Sequence, residues 1–216
     1  YRSPTDFDVH YETRTYDLKQ LRTLDVMVNY WGMKAIAHTF LAFGFSDGRY
    51  LDVSVEIRPE IGKAYDMLQG FFKQYNLIYI WGDERDLIGL RTNYKKETVY
   101  LYRTTLSSDN VWKMFISMVA TTNMLYQKPQ FYNTLTHSCT NTLTNHLDEA
   151  NIIKIPFWKR RILTGNVDKR MYDAHHLVRY GMSFPELRAQ ANINARAQAA
   201  GEDPHFSKKI RTHLHQ

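Results

Sequence analysis

Ala35-Ile36-Ala37-His38-Thr39-Phe40-Leu41-Ala42-Phe43-Gly44-Phe45, the turn Ser46-Asp47-Gly48, and then Tyr50-Leu51-Asp52-Val53-Ser54-Val55-Glu56-Ile57-Arg58 are the stretch on which the fold turns. The first run is apolar almost throughout, as a covered strand is. The Asp-Gly pair marks a hairpin loop. The return run alternates strictly, Leu51, Val53, Val55 and Ile57 against Asp52, Ser54, Glu56 and Arg58, which is the period of a strand. Pro59 stops it.

Working outward, His10 to Leu18 and Leu21 to Tyr30 read as strands. In the second of these Leu24, Val26, Val28 and Tyr30 share a face. Downstream, Ile61 to Gln74 has helical spacing and Leu77 to Trp81 is a short strand. Asp86 to Asn93 and Thr98 to Tyr102 are expected as two further strands around Tyr94-Lys95-Lys96-Glu97. Ser107 or Ser108 caps a helix in which Val111, Phe115, Met118, Thr122 and Leu125 recur as far as about Gln127. A second helix follows a polar loop and carries Leu143 and Leu147. Phe184 to Ala200 reads as one surface helix opened by Ser183, Pro185 and Glu186. The expectation is an α+β fold: a mainly antiparallel sheet of about five strands with helices packed around it.

The 216 residues suffice for one domain with its own core, and the 14% aromatic content excludes a disordered chain. Residues 1–9 are expected as a lead-in and 151–216 as a basic, mainly helical extension. From Asn151 onward there are 12 Lys+Arg against 5 Asp+Glu, and 16 against 17 before it, so the net charge of +6 belongs to the C-terminal third. The basic residues are dispersed and no RNA-binding motif is present, which argues against nucleic acid. The run Trp158-Lys159-Arg160-Arg161 suits either a membrane headgroup layer or plain solvent. No apolar run reaches the roughly 18 residues of a membrane span. The chain begins with Tyr1, as expected of an excised region of a longer precursor or of a mature exported chain.

The single cysteine, Cys139, lies at the expected start of the second helix, where unpaired N–H groups and the macrodipole favour a thiolate. A nucleophile needs a base and the base an orienting group. His38 shares its strand face with Phe40 and Ala42, and Ser54 or Glu56 on the next strand would orient it. The plainer reading is a core histidine and a solvated strand face. His146, two helical turns from Cys139, is about 10 Å away by helical rise and too distant to serve as its base. His137, in the loop before the cysteine, would meet substrate. Asn133, Asn141 and the Cys139 N–H would hold an oxyanion, with turn and surface roles as the simpler account of the two Asn. No metal-ligand spacing is present, and no cofactor is implied.

Trp31-Gly32, Ile36-Ala37-His38-Thr39, Val53-Ser54-Val55-Glu56, Asp83-Glu84-Arg85-Asp86, Leu90-Arg91-Thr92-Asn93-Tyr94, Tyr132-Asn133, Cys139-Thr140 and Ile193-Asn194-Ala195-Arg196 resemble, in order and spacing, the Lnb N-terminal periplasmic domain family. That resemblance implies an envelope protein of Gram-negative bacteria, in the periplasm, often attached to membrane spans outside the domain. It implies lipoprotein N-acyltransfer, from a phospholipid acyl donor to the amine of a lipoprotein acceptor. It also implies a circularly permuted papain-like (NlpC/P60-like) thiol-enzyme architecture, with Cys139, His38 and Glu56 or Ser54 as catalytic residues and Trp31, Tyr132, Asn133 and His137 near substrate. Phe40, Phe43 and Phe45 would wall an acyl channel or pack the core. A cysteine amidase or peptidase acting on cell-wall peptides, and a non-catalytic periplasmic binding module, are the alternatives. The family commonly has Asn before the cysteine; here it is Ser138.

Overall fold

Five strands form one antiparallel sheet in the order β4-β3-β2-β1-β5. They are β1 (Leu21–Tyr30), β2 (Ala37–Phe45), β3 (Tyr50–Arg58), β4 (Asn76–Gly82) and β5 (Thr98–Arg103). A computed structural model of the chain describes residues 3, 6–8, 11–32, 37–58, 75–131, 139–153 and 164–214, without the side chains of Cys139 and Thr164. The expected helix from Ile61 to Gln74 lies outside these residues, as does the Trp158-Lys159-Arg160-Arg161 run.

Both faces of the sheet are covered, which explains why β2 reads as a nearly continuous apolar run. On the first face Leu24, Val26, Val28, Leu41, Phe43, Val53 and Val55 meet Val111, Met114, Phe115 and Met118 of α2 (Ser108–Gln127) and Leu143 of α3 (Cys139–Glu149). Leu177 and α5 (Phe184–Ala191), which follow α4 (Val167–Asp173), complete this layer. On the second face Met27, Phe40, Ala42, Val99 and Leu101 meet Leu87 and Ile88 of α1 (Glu84–Gly89). Ile193, α6 (Asn194–Ala200) and α7 (Phe206–Ile210) cover the rest. Each of these fully buried aliphatic or aromatic side chains contributes roughly 1.5–3 kcal/mol.

Three elements differ from those expected from the sequence. Residues 11–17 form no strand; Asp17 caps a short 3₁₀ turn at Leu18–Gln20 instead. Asp86 to Asn93 is not a strand either. Asp83 accepts from the Arg85 N–H and starts α1, which runs on into a π-turn at Leu90–Tyr94. The expected helix from Phe184 to Ala200 is two helices, parted where the Ile193 N–H donates to the Val99 carbonyl at the β5 edge. Its start is as read: the Ser183 N–H donates to Glu186 Oε2 at 2.8 Å.

Candidate active site

The polar half of β3 faces protein rather than water except at Arg58, which is exposed. Asp52 and Ser54 are buried, and Glu56 is half-buried. Glu56 and Ser54 stand two residues apart on one face of β3, and His38 occupies the same face of β2 two residues before Phe40. His38 Nε2 lies 2.7 Å from Ser54 Oγ and 3.2 Å from Glu56 Oε1, while Ser54 Oγ donates to Glu56 Oε1 at 2.6 Å. Burial alone would push the Glu56 carboxyl up. The charge and hydrogen bond of His38 outweigh that, with help from Arg91 and Ser54, and hold Glu56 far below the usual carboxylate range.

This geometry fixes a tautomer. The one Ser54 proton goes to an ionised carboxylate, so Ser54 can only accept from His38. The proton of a neutral His38 then sits on Nε2, and its lone pair on Nδ1. The sequence left Ser54 and Glu56 as alternatives for the orienting group. In the structure both reach Nε2, the hydroxyl at 2.7 Å and the carboxylate at 3.2 Å, and they are bonded to each other.

Arg91 was missed as a site residue because its segment read as a strand. The π-turn presents its guanidinium to Glu56 Oε1 at 2.7 Å and to the Leu87 carbonyl at 2.7 Å. The same group lies 4.6 Å from the centroid of Phe40, whose ring stacks on His38 at 5.9 Å. Its spacing of four from Leu87 is the helical signal that would have found it. Asn29, directly opposite His38 in the β1–β2 register, is buried and donates from Nδ2 to the half-buried Glu97 Oε2 at 2.6 Å.

Cys139 is the first residue of α3; its side chain lies outside the description. Next to it, Thr140 Oγ1 is 3.3 Å from Thr39 Oγ1, so the residue after the cysteine touches the residue after His38. The two backbones meet at one end of the sheet, where β1 ends at Tyr30 and β2 begins at Ala37. The rest of α3 packs on the first sheet face, whereas His38, Ser54 and Glu56 turn to the second. Trp31 is exposed just after β1, at the same end. Tyr132, Asn133 and His137 lie outside the described residues, and Asn141 is buried in the first turn of α3.

Beneath α3 lies an apolar cavity of about 110 Å³, bounded by Leu24, Val26, Leu41, Leu143, Leu147 and Thr140 among others. It begins at the helix turn that carries Cys139. Phe40, Phe43 and Phe45 do not line it; Phe40 supports Arg91 and the other two pack the first face. His146 lies two turns along α3 from Cys139. It is buried, with Nε2 2.7 Å from the Tyr79 hydroxyl and Nδ1 2.7 Å from Ser117 Oγ. Among the described residues no cluster of His, Cys, Asp or Glu suits a metal ion, and no helix is long and apolar enough to cross a membrane.

Neither the curated proteins nor the solved structures gave a match. The family model of the Lnb N-terminal periplasmic domain matches residues 7–165, a span that takes in His38, Ser54, Glu56, Arg91 and Cys139. On that match the chain is a periplasmic domain of the bacterial envelope and belongs to the Lnb N-terminal periplasmic domain family.

Proposed function

We propose that the domain is a thiol acyltransferase that moves an acyl chain from a phospholipid to the N-terminal amine of a lipoprotein through a thioester on Cys139. The observation that carries this reading is the relay from His38 through Ser54 to Glu56, held at the sheet end where α3 begins. In the first half-reaction His38 Nδ1 takes the Cys139 thiol proton, and the thiolate attacks the ester carbonyl carbon. N–H groups at the start of α3 stabilise the oxyanion. The carbon–oxygen bond then breaks, and the departing lysophospholipid oxygen takes the proton from His38. In the second half-reaction an amine attacks the thioester, its proton passes to His38, and the carbon–sulfur bond breaks to release an amide and the thiolate. Glu56 stays ionised throughout and stabilises the imidazolium.

The cavity beneath the first turns of α3 takes only a short part of an acyl chain, and its apolar lining favours a lipid acyl group over a cell-wall peptide as the group carried. Incubation of the protein with phospholipid, and separately with muropeptide, followed by intact mass, tests this. An acyl-sized adduct with phospholipid that is absent from Cys139→Ala is expected, with transfer falling roughly 10³-fold or more in that variant. Turnover of muropeptide without a lipid adduct would favour the amidase reading. Undiminished transfer by Cys139→Ala would end the proposal.

A further inference from the structure

The outer side of α2 is not an ordinary solvated helix face. Trp112, Ile116, Ala120 and Met124 recur every fourth residue and are all exposed, the three large ones by 47%, 37% and 41%. Residues four apart stack along a helix, so these form one ridge about 18 Å long. The opposite side, with Val111, Met114, Phe115, Met118 and Leu125, is already committed to the core. Past the helix end, Tyr126 and Phe131 extend the exposed aromatic surface, and Phe131 bridges Asn76 at the sheet end that holds His38. Five of the nine large hydrophobic side chains exposed among the described residues are thus gathered on α2 and the segment after it. Scattered exposed hydrophobes need no explanation, but an aligned ridge headed by Trp does.

Charge identifies the partner. From Asn110 to Leu147 the chain has no Asp or Glu, and the Lys and Arg of that span are Lys113 and Lys128, both exposed. An apolar ridge with Trp and Tyr, with Lys113 and Lys128 beside it and Asp109 the one acid on its helix, matches the boundary of a bilayer that contains anionic lipid. We propose that this face of α2 docks the domain on an anionic phospholipid surface. The ridge lies on the same side of the sheet as α3 and its apolar cavity, so docking brings the start of α3 toward the lipid. The inference rests on the surface of α2 and not on the chemistry of Cys139.

Co-sedimentation of the whole chain with phosphatidylcholine vesicles, with and without phosphatidylglycerol, tests it. Binding to the anionic vesicles is expected, weakening with salt. The combined variant Trp112→Ser, Ile116→Ser, Met124→Ser is expected to bind at least about tenfold more weakly. Lys113→Glu with Lys128→Glu, which leaves the ridge intact, is expected to lose the preference for anionic vesicles. Cys139→Ala is expected to bind as the unaltered chain does, which separates a failure of docking from a failure of acyl transfer. Absence of vesicle binding, or equal binding by both surface variants, would overturn the proposal. So would a ridge variant that keeps vesicle binding but dissociates a dimer in light scattering, because the ridge would then belong to a second copy.

Discussion

Ser54 stands between His38 and Glu56 with one proton to give, and the direction in which it gives it makes Nδ1 the basic nitrogen. The alternation of β3 marked Ser54 and Glu56 as polar partners of His38, because a two-residue period places them on one face. It did not show that this face is covered, and so gave no sign of the cost of a charge there. That cost is visible at Asp52, fully buried on the same face, with neither carboxylate oxygen hydrogen-bonded. Burial, then the nearby Glu84, push its carboxyl well above the ordinary range; the positive Arg211 opposes them but does not prevail. Arg211 is committed to Asp25 and Glu84. A carboxyl raised in the folded state contributes stability that is full below its unfolded pKa and is lost as pH rises through the folded one. Asp52→Asn mimics the neutral acid. Thermal melts from about pH 4 upward should show the variant holding its stability while the unaltered chain declines, with little difference below about pH 4. Parallel declines would contradict an uncharged Asp52.

At the scale of elements, helices and strands announced themselves where apolar period and caps agreed. Ser107 caps α2, accepting from the Asn110 N–H as its sequence suggests, and β1 to β4 fall where alternation and turns put them. Residues 84–94 did not, because Leu87, Ile88 and Leu90 in a short run fit strand and helix equally, and a π-turn leaves no mark in periodicity. The parting of α5 from α6 was also invisible. It comes from a tertiary bond, the Asn194 side chain accepting from the Val99 N–H and donating to the Glu97 carbonyl. His146 ties three elements together, α3 to Tyr79 on β4 and to Ser117 on α2. Burial pulls its pKa down to about 4. The unfolded state therefore binds the extra proton first, so stability is full above the ordinary histidine pKa and falls as pH drops toward about 4. The loss is roughly 3 kcal/mol. Denaturant melts of His146→Gln should lack most of that acid loss. An unchanged acid slope would contradict a neutral, buried imidazole.

For the molecule as a whole, β1 to β4 pair neighbour to neighbour in chain order, but nothing local places β5 beside β1 at the edge. That return, with the C-terminal helices laid over both faces, is a long-range outcome that only the packed chain expresses. It matters for the site. Residues at the end of the sheet come from both layers: His38, Ser54, Glu56 and Arg91 from the second face, and the start of α3 from the first. Resemblance and strand pattern together pointed to the histidine and its partners, while the arginine behind them and the lipid-suited ridge on α2 emerged from packing. The central claim is that the thiol of Cys139 and the imidazole of His38 work as a pair around that sheet end. Cys139 is the one cysteine of the chain, so its rate of alkylation by a small haloacetamide reads a single thiol. Followed against pH, alkylation of the unaltered chain should inflect well below the roughly 8.5 of a free thiol, and His38→Gln should return it to about that value. An inflection that His38→Gln leaves in place would contradict the pairing.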